Sequence, residues 1–249
     1  MTWASRPTSG VRVAAGLQSK DRDDGVREAA MTHDTGIQGP TGARLRLEQE
    51  EHALAAAALD EIRHGGWRDS SLARVADAAG LTLAHAREVY PDERELLVDA
   101  LRLRDDLGIE LLPDSPRDGR GLLQAFIDIA RFGTETPGTL ELFGTLATAA
   151  TAPDHPGHEY FRARYAWLRG LLVDALRELE EEGELKRRCD PQGVAAQAIA
   201  LLDGLQIQWL LDSEAIDVEG LLRSFLDRYL HEPLEPARPI VAPDVAAQA

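Results

Sequence analysis

The spacing of apolar residues predicts a chain of helices. From Arg44 onward, apolar positions recur at steps of three and four, and no segment alternates with a period of two. Four helices are expected before Pro113, and the first covers residues 44–64. Five more are expected over residues 118–135, 138–151, 156–182, 191–212 and 217–230. The predicted fold class is therefore all-α, with about nine helices.

The two ends of the chain lack this pattern. Residues 1–43 mix glycine, serine, threonine, aspartate and arginine without an apolar period, and residues 232–249 are rich in proline. We expect a disordered N-terminal arm over 1–43 and a disordered C-terminal tail over 232–249. Met31 lies inside the arm, so the sequence is compatible either with a natural start at Met31 or with a genuine flexible arm that includes residues 1–30.

Turn and capping residues separate the first four helices. Ser70 or Ser71 can cap a short second helix, and Thr82 is placed to cap a third. Pro91 enforces a break after the third helix, and Asp92 begins an Asp-x-x-Glu capping box for the fourth. The sequence therefore predicts short helices joined by tight turns in this region.

Ala76 and Gly80 lie four residues apart, which is the spacing that a helix-turn-helix needs. The alanine lets two helices approach, and the glycine supplies the turn between them. The second helix of such a unit enters the major groove of DNA by its N-terminal residues. An ordinary helical hairpin can have the same spacing, so the spacing alone leaves both interpretations open.

The residues that follow this turn carry a family resemblance. Residues 79–97 resemble the DNA-reading segment of tetracycline-repressor-like (TetR) regulators, in which an aromatic residue ends the recognition helix and a proline turn precedes an acidic, leucine-ended helix start. Tyr90 and Pro91 match that ending. Residues 201–211 are similar to the penultimate helix of the regulatory domain in many members, and residues 181–185 to the turn before it.

The resemblance implies two domains and three partners. An N-terminal three-helix helix-turn-helix domain over 44–101 would bind DNA, and a C-terminal helical bundle over 102–231 would bind a ligand and dimerise. The implied function is a ligand-responsive repressor. Its partners would be a palindromic double-stranded operator, a second copy of the chain and a small hydrophobic effector that releases the DNA.

Two positions depart from the family pattern. Members usually have an aromatic residue where Arg87 stands, and a lysine that touches phosphate where Glu93 stands. Arg87 can substitute as a phosphate or guanine ligand, and Arg94 can take over the task of the lysine. The residues expected to contact DNA are Arg44, Arg46, Ser71, Thr82, Leu83, His85, Arg87 and Arg94.

The charge of the chain works against tight DNA binding. With 27 basic and 43 acidic residues, the formal net charge is −16, which argues against a nonspecific coat for nucleic acid. Residues 44–101 hold seven arginines against twelve acidic residues, a net charge of −5. A local operator-reading surface needs only a few cations. The alternative is a helical small-molecule-binding or scaffold protein whose DNA-binding surface has decayed.

Apolar residues of the second domain are candidates for an effector pocket. Cavities between bundle helices are usual ligand sites, and the resemblance implies one here. Ordinary core packing explains the same residues equally well. The candidates are Phe126, Phe132, Phe143, Leu146, Tyr165 and Trp167. Arg131, Arg162 and Arg164 are interpreted as surface residues rather than ligand anchors.

The last two helices carry adjacent apolar stripes, which offer more apolar surface than one subunit can obviously cover. Two copies of the chain would form a four-helix dimer interface. The residues expected in it are Val194, Ala198, Leu201, Leu205, Trp209, Leu222, Phe225 and Tyr229.

Residues that would indicate other chemistry are sparse. His155 and His158 lie in a loop that gives their imidazoles no fixed face, so no metal site is expected. The single cysteine, Cys189, cannot form an internal disulfide, and the sequence has no nucleophile elbow, P-loop or dinucleotide fingerprint. No segment has the apolar pattern of a signal peptide or membrane span. We therefore expect a cytoplasmic protein with no cofactor, no membrane contact and no enzymatic activity.

Overall fold

The computed structural model describes residues 40–66, 71–110, 118–186 and 188–238. The prediction for the N-terminal arm falls almost entirely outside these described residues, and so does the prediction for the last part of the C-terminal tail.

Within the described residues the chain forms nine α-helices. They are α1 (Pro40–Gly65), α2 (Leu72–Ala78), α3 (Leu83–Val89), α4 (Glu93–Glu110), α5 (Gly119–Glu135), α6 (Pro137–Ala149), α7 (His158–Glu181), α8 (Pro191–Leu211) and α9 (Val218–Leu226). Extended pairing in this part of the chain is limited to an isolated antiparallel bridge between Leu185 and Leu230. The all-α prediction is confirmed.

The first helix begins earlier than predicted. It starts at Pro40 and includes Gly42, although residues up to 43 were expected to form part of a disordered arm. Proline is tolerated in the first turn of a helix, because the N–H that it lacks would have no partner there. The boundary at residue 43 is therefore wrong by one helical turn.

The predicted capping residues fix the short helices. The Ser71 Oγ accepts a hydrogen bond from the backbone N–H of Arg74 at 3.4 Å, and the Thr82 Oγ1 accepts one from the N–H of His85 at 3.2 Å. Between α2 and α3, Gly80 has a φ of +70°, a left-handed conformation that favours glycine. These local interactions set the start of α3 relative to α2.

The first four helices share one apolar core. Leu54 and Leu59 of α1 pack with Val75 of α2, Ala86 of α3 and Tyr90. Ala86 is fully buried, so this face of α3 turns inward and leaves the polar side chains of the helix on the outside. This core holds α3 on the surface of the protein.

A second core lies between α5, α7, α8 and α9, and a third joins it to the first four helices. Ile62 of α1 and Leu101 of α4 pack with Leu142 of α6 and Tyr160 of α7 in the third core. Gly138 lies so close to the backbone of Ile62 that a side chain at this position would collide with it. The start of α6 is thus seated directly on the end of α1.

The segment 232–238 packs on the protein, and the prediction of disorder is wrong for it. Its apolar side chains are buried against the second core. The Ala237 N–H donates to Glu219 Oε1 at 2.8 Å, and the Arg238 N–H donates to Asp128 Oδ1 at 2.9 Å. Carboxylates from α5 and α9 therefore satisfy backbone groups that the proline-rich segment cannot pair by itself.

Among the described residues, α8 is long and apolar enough to cross a membrane by length and composition. Its Val194, Ala198 and Leu202 are buried in the second core of the bundle. The packing of α8 against α7 and α9 accounts for the apolar residues on its inward sides.

Candidate functional site

The exposed surface of α3 is held in place at both ends. Thr82 caps its start, and Tyr90 follows its last turn. The Tyr90 hydroxyl donates to Asp99 Oδ2 of α4 at 3.0 Å, and its oxygen lies 3.4 Å from the Glu51 carbonyl oxygen of α1. Burial raises the pKa of Tyr90, so the phenol stays protonated and remains a donor. The end of α3 is therefore tied to both α1 and α4.

His85 lies on α3 between two carboxylates. Its Nε2 is 3.1 Å from Glu50 Oε2 of α1, and its Nδ1 is 3.3 Å from Glu88 Oε2 of α3. The hydrogen bonds with Glu88 and then with Glu50 raise the pKa of His85 above its usual 6.5. This imidazole carries a positive charge at higher pH than a free histidine, and the two carboxylates balance it.

Three of the arginines near this surface are paired with neighbouring carboxylates. Arg94 Nη2 lies 2.7 Å from Asp92 Oδ2, and Arg44 Nε lies 2.8 Å from Glu48 Oε1. The bonds from Arg94 lower the pKa of Asp92, which stays ionised. The third pair joins Arg74 of α2 to α1.

Arg46 and Arg87 are exposed and form no ion pair within the described ranges. Of the other residues predicted to contact DNA, Ser71 and Thr82 are used as helix caps, and Leu83 packs partly against the first core. The predicted residues thus lie on α1, at the starts of α2 and α3, on α3 and at the start of α4, and within the described ranges Arg87 and Arg46 are the predicted arginines without an ion pair.

A cavity of about 90 Å³ lies between α4, α5, α6, α7 and α8. Four of the six residues predicted for a pocket line it: Phe126, Phe132, Phe143 and Trp167. An engineered cavity that holds benzene measures about 150 Å³, so this cavity is smaller than a benzene site.

The other two predicted pocket residues do not line the cavity. Leu146 is buried in the third core, where it packs with α1 and α4. Tyr165 is partly buried against the second and third cores, and its hydroxyl donates to Asp203 Oδ2 at 2.9 Å. Asp203 does line the cavity, and its burial raises the pKa of its carboxyl group.

A buried ionic group forms one side of the cavity. Asp105 of α4 accepts from Arg104 Nη2 at 2.7 Å, from Arg164 Nε at 2.8 Å and from the Tyr160 hydroxyl at 2.6 Å. Burial by itself would raise the pKa of Asp105, but the charges of Arg164 and Arg104 outweigh it and lower the pKa to about 2. Asp105 is therefore ionised and links α4 to α7.

Phe143 lies close to both guanidinium groups of this ionic group. The Arg104 and Arg164 guanidinium carbons are 5.1 and 4.6 Å from the centre of its ring. The interpretation of Arg164 as a surface residue is wrong, because its side chain is only 17% exposed and lines the cavity. Arg164 follows the buried Tyr160 by one helical turn, and that spacing was the available signal.

The predicted dimer residues divide into two groups. Val194, Ala198, Leu205 and Leu222 are at most 5% exposed, because they pack in the core of their own subunit. These four offer no surface to a partner, and this part of the prediction is wrong. The other four, Leu201, Trp209, Phe225 and Tyr229, are partly buried against the same core.

The exposed apolar side chains of α8 and α9 are different residues. Ile207 is 55% exposed, Leu211 83% and Leu221 46%. Ala196 and Ala200 lie on the same exposed side of α8, at helical spacing from Ile207. Because α8 is apolar all round, its sequence could not show which side turns inward.

Within the described ranges, no three metal-ligating side chains come together. The His155 Nδ1 accepts a hydrogen bond from the Gly157 N–H at 3.0 Å. The His158 Nδ1 lies 2.8 Å from the Ala150 carbonyl oxygen. Both imidazoles thus contact the backbone of the loop that holds them.

The chain is similar in sequence to known transcriptional regulators. Residues 122–234 match the family of the BetI-type transcriptional repressor, C-terminal domain. A curated relative, the HTH-type transcriptional regulator PksA of Bacillus subtilis (strain 168), is 24% identical over 180 residues, which span 71% of this chain and 86% of PksA.

Solved structures share the fold. A TetR transcription regulator from Haloarcula marismortui ATCC 43049 superposes with a TM-score of 0.62 at 18% identity, over 74% of this chain and 99% of that one. A transcriptional regulator from Saccharomonospora viridis in complex with choline superposes with a TM-score of 0.57 at 22% identity, over 76% of this chain and 98% of the other.

Proposed function

We propose that the chain is a TetR-family transcriptional regulator, a cytoplasmic, non-enzymatic repressor that binds a palindromic operator as a homodimer. A small hydrophobic effector releases it. Residues 44–101 form the DNA-binding domain, and residues 102–231 form the ligand-binding and dimerisation domain. One observation carries the proposal: α4 contacts the end of α3 through Asp99 and the cavity through Asp105.

In this proposal α3 is the recognition helix, and its N-terminal residues face the bases. Arg87 and Arg46 contact phosphate or base edges directly, since no carboxylate in the described part of the chain holds them. Arg94 and Arg44 reach phosphate only by leaving Asp92 and Glu48. Because each phosphate contact replaces an existing ion pair, its net contribution to the binding free energy is small, and the affinity for DNA is modest.

The proposed dimer forms through the exposed side of α8 and α9. Ile207, Leu211 and Leu221 supply apolar area that a soluble monomer would leave in water. Ala196 and Ala200 let two copies of α8 approach closely. A two-fold axis through this side gives an isologous four-helix interface and sets the distance between the two α3 helices.

Effector binding acts through α4. Because the cavity is small, an effector that enters it displaces side chains and shifts α4 through Asp105. The bond between Asp99 and Tyr90 passes this shift to the end of α3. A change in the separation of the two recognition helices lowers operator affinity by a coupling free energy of roughly 1–3 kcal/mol.

The test is a mobility-shift titration of the protein with DNA from upstream of its own gene, against a scrambled duplex of equal length. We expect binding that prefers the upstream DNA and weakens with salt. Arg87→Ala should weaken binding, and the control Arg162→Ala, an exposed arginine on α7, should not. Equal affinity for both duplexes would contradict the proposal.

A second candidate is the helical ligand-binding protein with a decayed DNA surface. Its support is the set of carboxylates beside the cations, namely Glu50 and Glu88 around His85 and Asp92 around Arg94. This candidate predicts a dimer that binds small molecules but shows no preference for the upstream DNA at any salt concentration.

A further inference from the structure

We propose that the effector is a small amphipathic carboxylate, whose acid group binds Arg164 and Arg104 while its apolar part fills the cavity. The proposal rests on the proposed function in one respect, that the cavity is the effector site. It adds the chemical class of the ligand and names the side chains that recognise it.

Asp105 leaves no capacity for a cationic ligand. Its Oδ1 accepts from Arg104, and its Oδ2 accepts from both Arg164 and Tyr160. An ionised carboxylate with two arginine partners and a phenol has its charge balanced already. A positive group that entered the cavity would lie beside the guanidinium groups of Arg104 and Arg164, which also line it.

The guanidinium groups, in contrast, have donors to spare. Each has five N–H donors and cannot be deprotonated in a protein. Among the described residues, Arg164 donates one hydrogen bond, from Nε to Asp105, and Arg104 donates from Nε and Nη2 to the same carboxylate. Both arginines line the cavity. An acceptor with negative charge is the group that best satisfies the remaining N–H groups.

The charge of this side of the cavity favours a single negative charge on the ligand. Two arginines against Asp105 leave one positive charge. Asp203, which also lines the cavity, accepts from the Tyr165 hydroxyl, and burial raises the pKa of its carboxyl group, which disfavours the charged form. A monocarboxylate would offset the charge of the arginine that Asp105 does not balance.

The rest of the cavity suits an apolar body. Phe126, Phe132, Leu140 and Trp167 line it from α5, α6 and α7. A ligand carboxylate would bind the N–H groups of Arg164 that Asp105 leaves unused, at the point where α4 lines the cavity.

The test uses three probes with the same eight-carbon chain: octanoate, 1-octanol and octylammonium. Each is titrated into the full-length protein by isothermal calorimetry. We expect octanoate to bind about tenfold more tightly than octanol, the factor for one charge-assisted hydrogen bond, and octylammonium to bind most weakly. Equal affinities, tighter binding of octylammonium or no binding of any probe would overturn the proposal.

Two variants locate the preference. Arg164→Met should bind octanoate and octanol equally, while Arg162→Met, two residues along the same helix and 72% exposed, should keep the wild-type preference. A preference for octanoate that persists in a folded Arg164→Met protein contradicts the assignment. If circular dichroism shows that Arg164→Met is unfolded, the comparison of probes on the wild-type chain decides alone.

The titration contains no DNA, so the two proposals can fail separately. If the protein shows no preference for its operator but still prefers octanoate, the proposed repressor function is refuted and the proposed carboxylate ligand stands. A chain that binds its operator but treats the three probes alike would refute the ligand class only.

Discussion

The ionic group around Asp105 should contribute measurably to stability, and Tyr160→Phe isolates one of its bonds. The Tyr160 side chain is 2% exposed, and its hydroxyl donates to Asp105 Oδ2 at 2.6 Å. A hydrogen bond to a charged group contributes roughly 1.5–3 kcal/mol. Asp105 keeps both arginines in the variant, so we expect the free energy of unfolding to fall by the lower end of this range, about 1.5 kcal/mol. The substitution opens no large cavity, because the aromatic ring remains.

The assay is unfolding by urea and by heat at pH 7. Since the pKa of Asp105 is lowered to about 2 from its ordinary 3.8, its stabilisation is present above pH 4 and is lost as the pH falls toward 2. For a chain of this size, 1 kcal/mol corresponds to about 2–4 °C, so the melting temperature should fall by roughly 3–6 °C. The urea midpoint should fall with an unchanged slope.

The matched control is Glu159→Gln, the neighbouring position on α7. Glu159 pairs with Arg162 at 2.7 Å, but both side chains are about 70% exposed, and exposed pairs contribute little. Its melting temperature should stay at the wild-type value. A Tyr160→Phe protein that melts with the control would refute the account of Asp105 as a buried link between α4 and α7.

Three further predictions concern the surface. Leu211→Glu should convert the dimer to a monomer in light scattering at micromolar concentration, because it places a charge in the proposed interface; an unchanged mass would refute that interface. Arg87→Ala should cost about 1–3 kcal/mol of operator affinity if the side chain reaches a guanine, and a footprinting titration would also show relaxed preference at one base pair of each half-site. His85 has a raised pKa, so its stabilising contacts with Glu50 and Glu88 are fully present below pH 6.5 and are lost as the pH rises through the raised pKa. DNA affinity should fall over the same range, and His85→Gln should flatten that pH profile; an identical profile in the variant would rule out His85 as the cause.

The sequence predicted the features that depend on neighbouring residues. Ser71, Thr82 and Gly80 act within one turn of their own positions, so the bounds of α2 and α3 could be inferred from the chain alone. Four of the five aromatic residues predicted for the cavity also line it, because apolar cavities between bundle helices are usual ligand sites.

The features that the sequence did not show depend on distant partners. Arg104 and Asp105 have the pattern of an exposed charged pair, and only the fold brings Arg164 of α7 to them. The same holds for residues 232–238, whose backbone is satisfied by Asp128 and Glu219 from two other helices. No local pattern encodes such contacts.

A footprint of the full-length protein on the DNA upstream of its own gene tests operator recognition directly. We expect one protected palindrome, with half-sites about one helical turn or more apart along the duplex, as a two-fold dimer with one α3 in each major groove requires. Protection of a single asymmetric half-site, or no protected site at concentrations where the protein is a folded dimer, would contradict it.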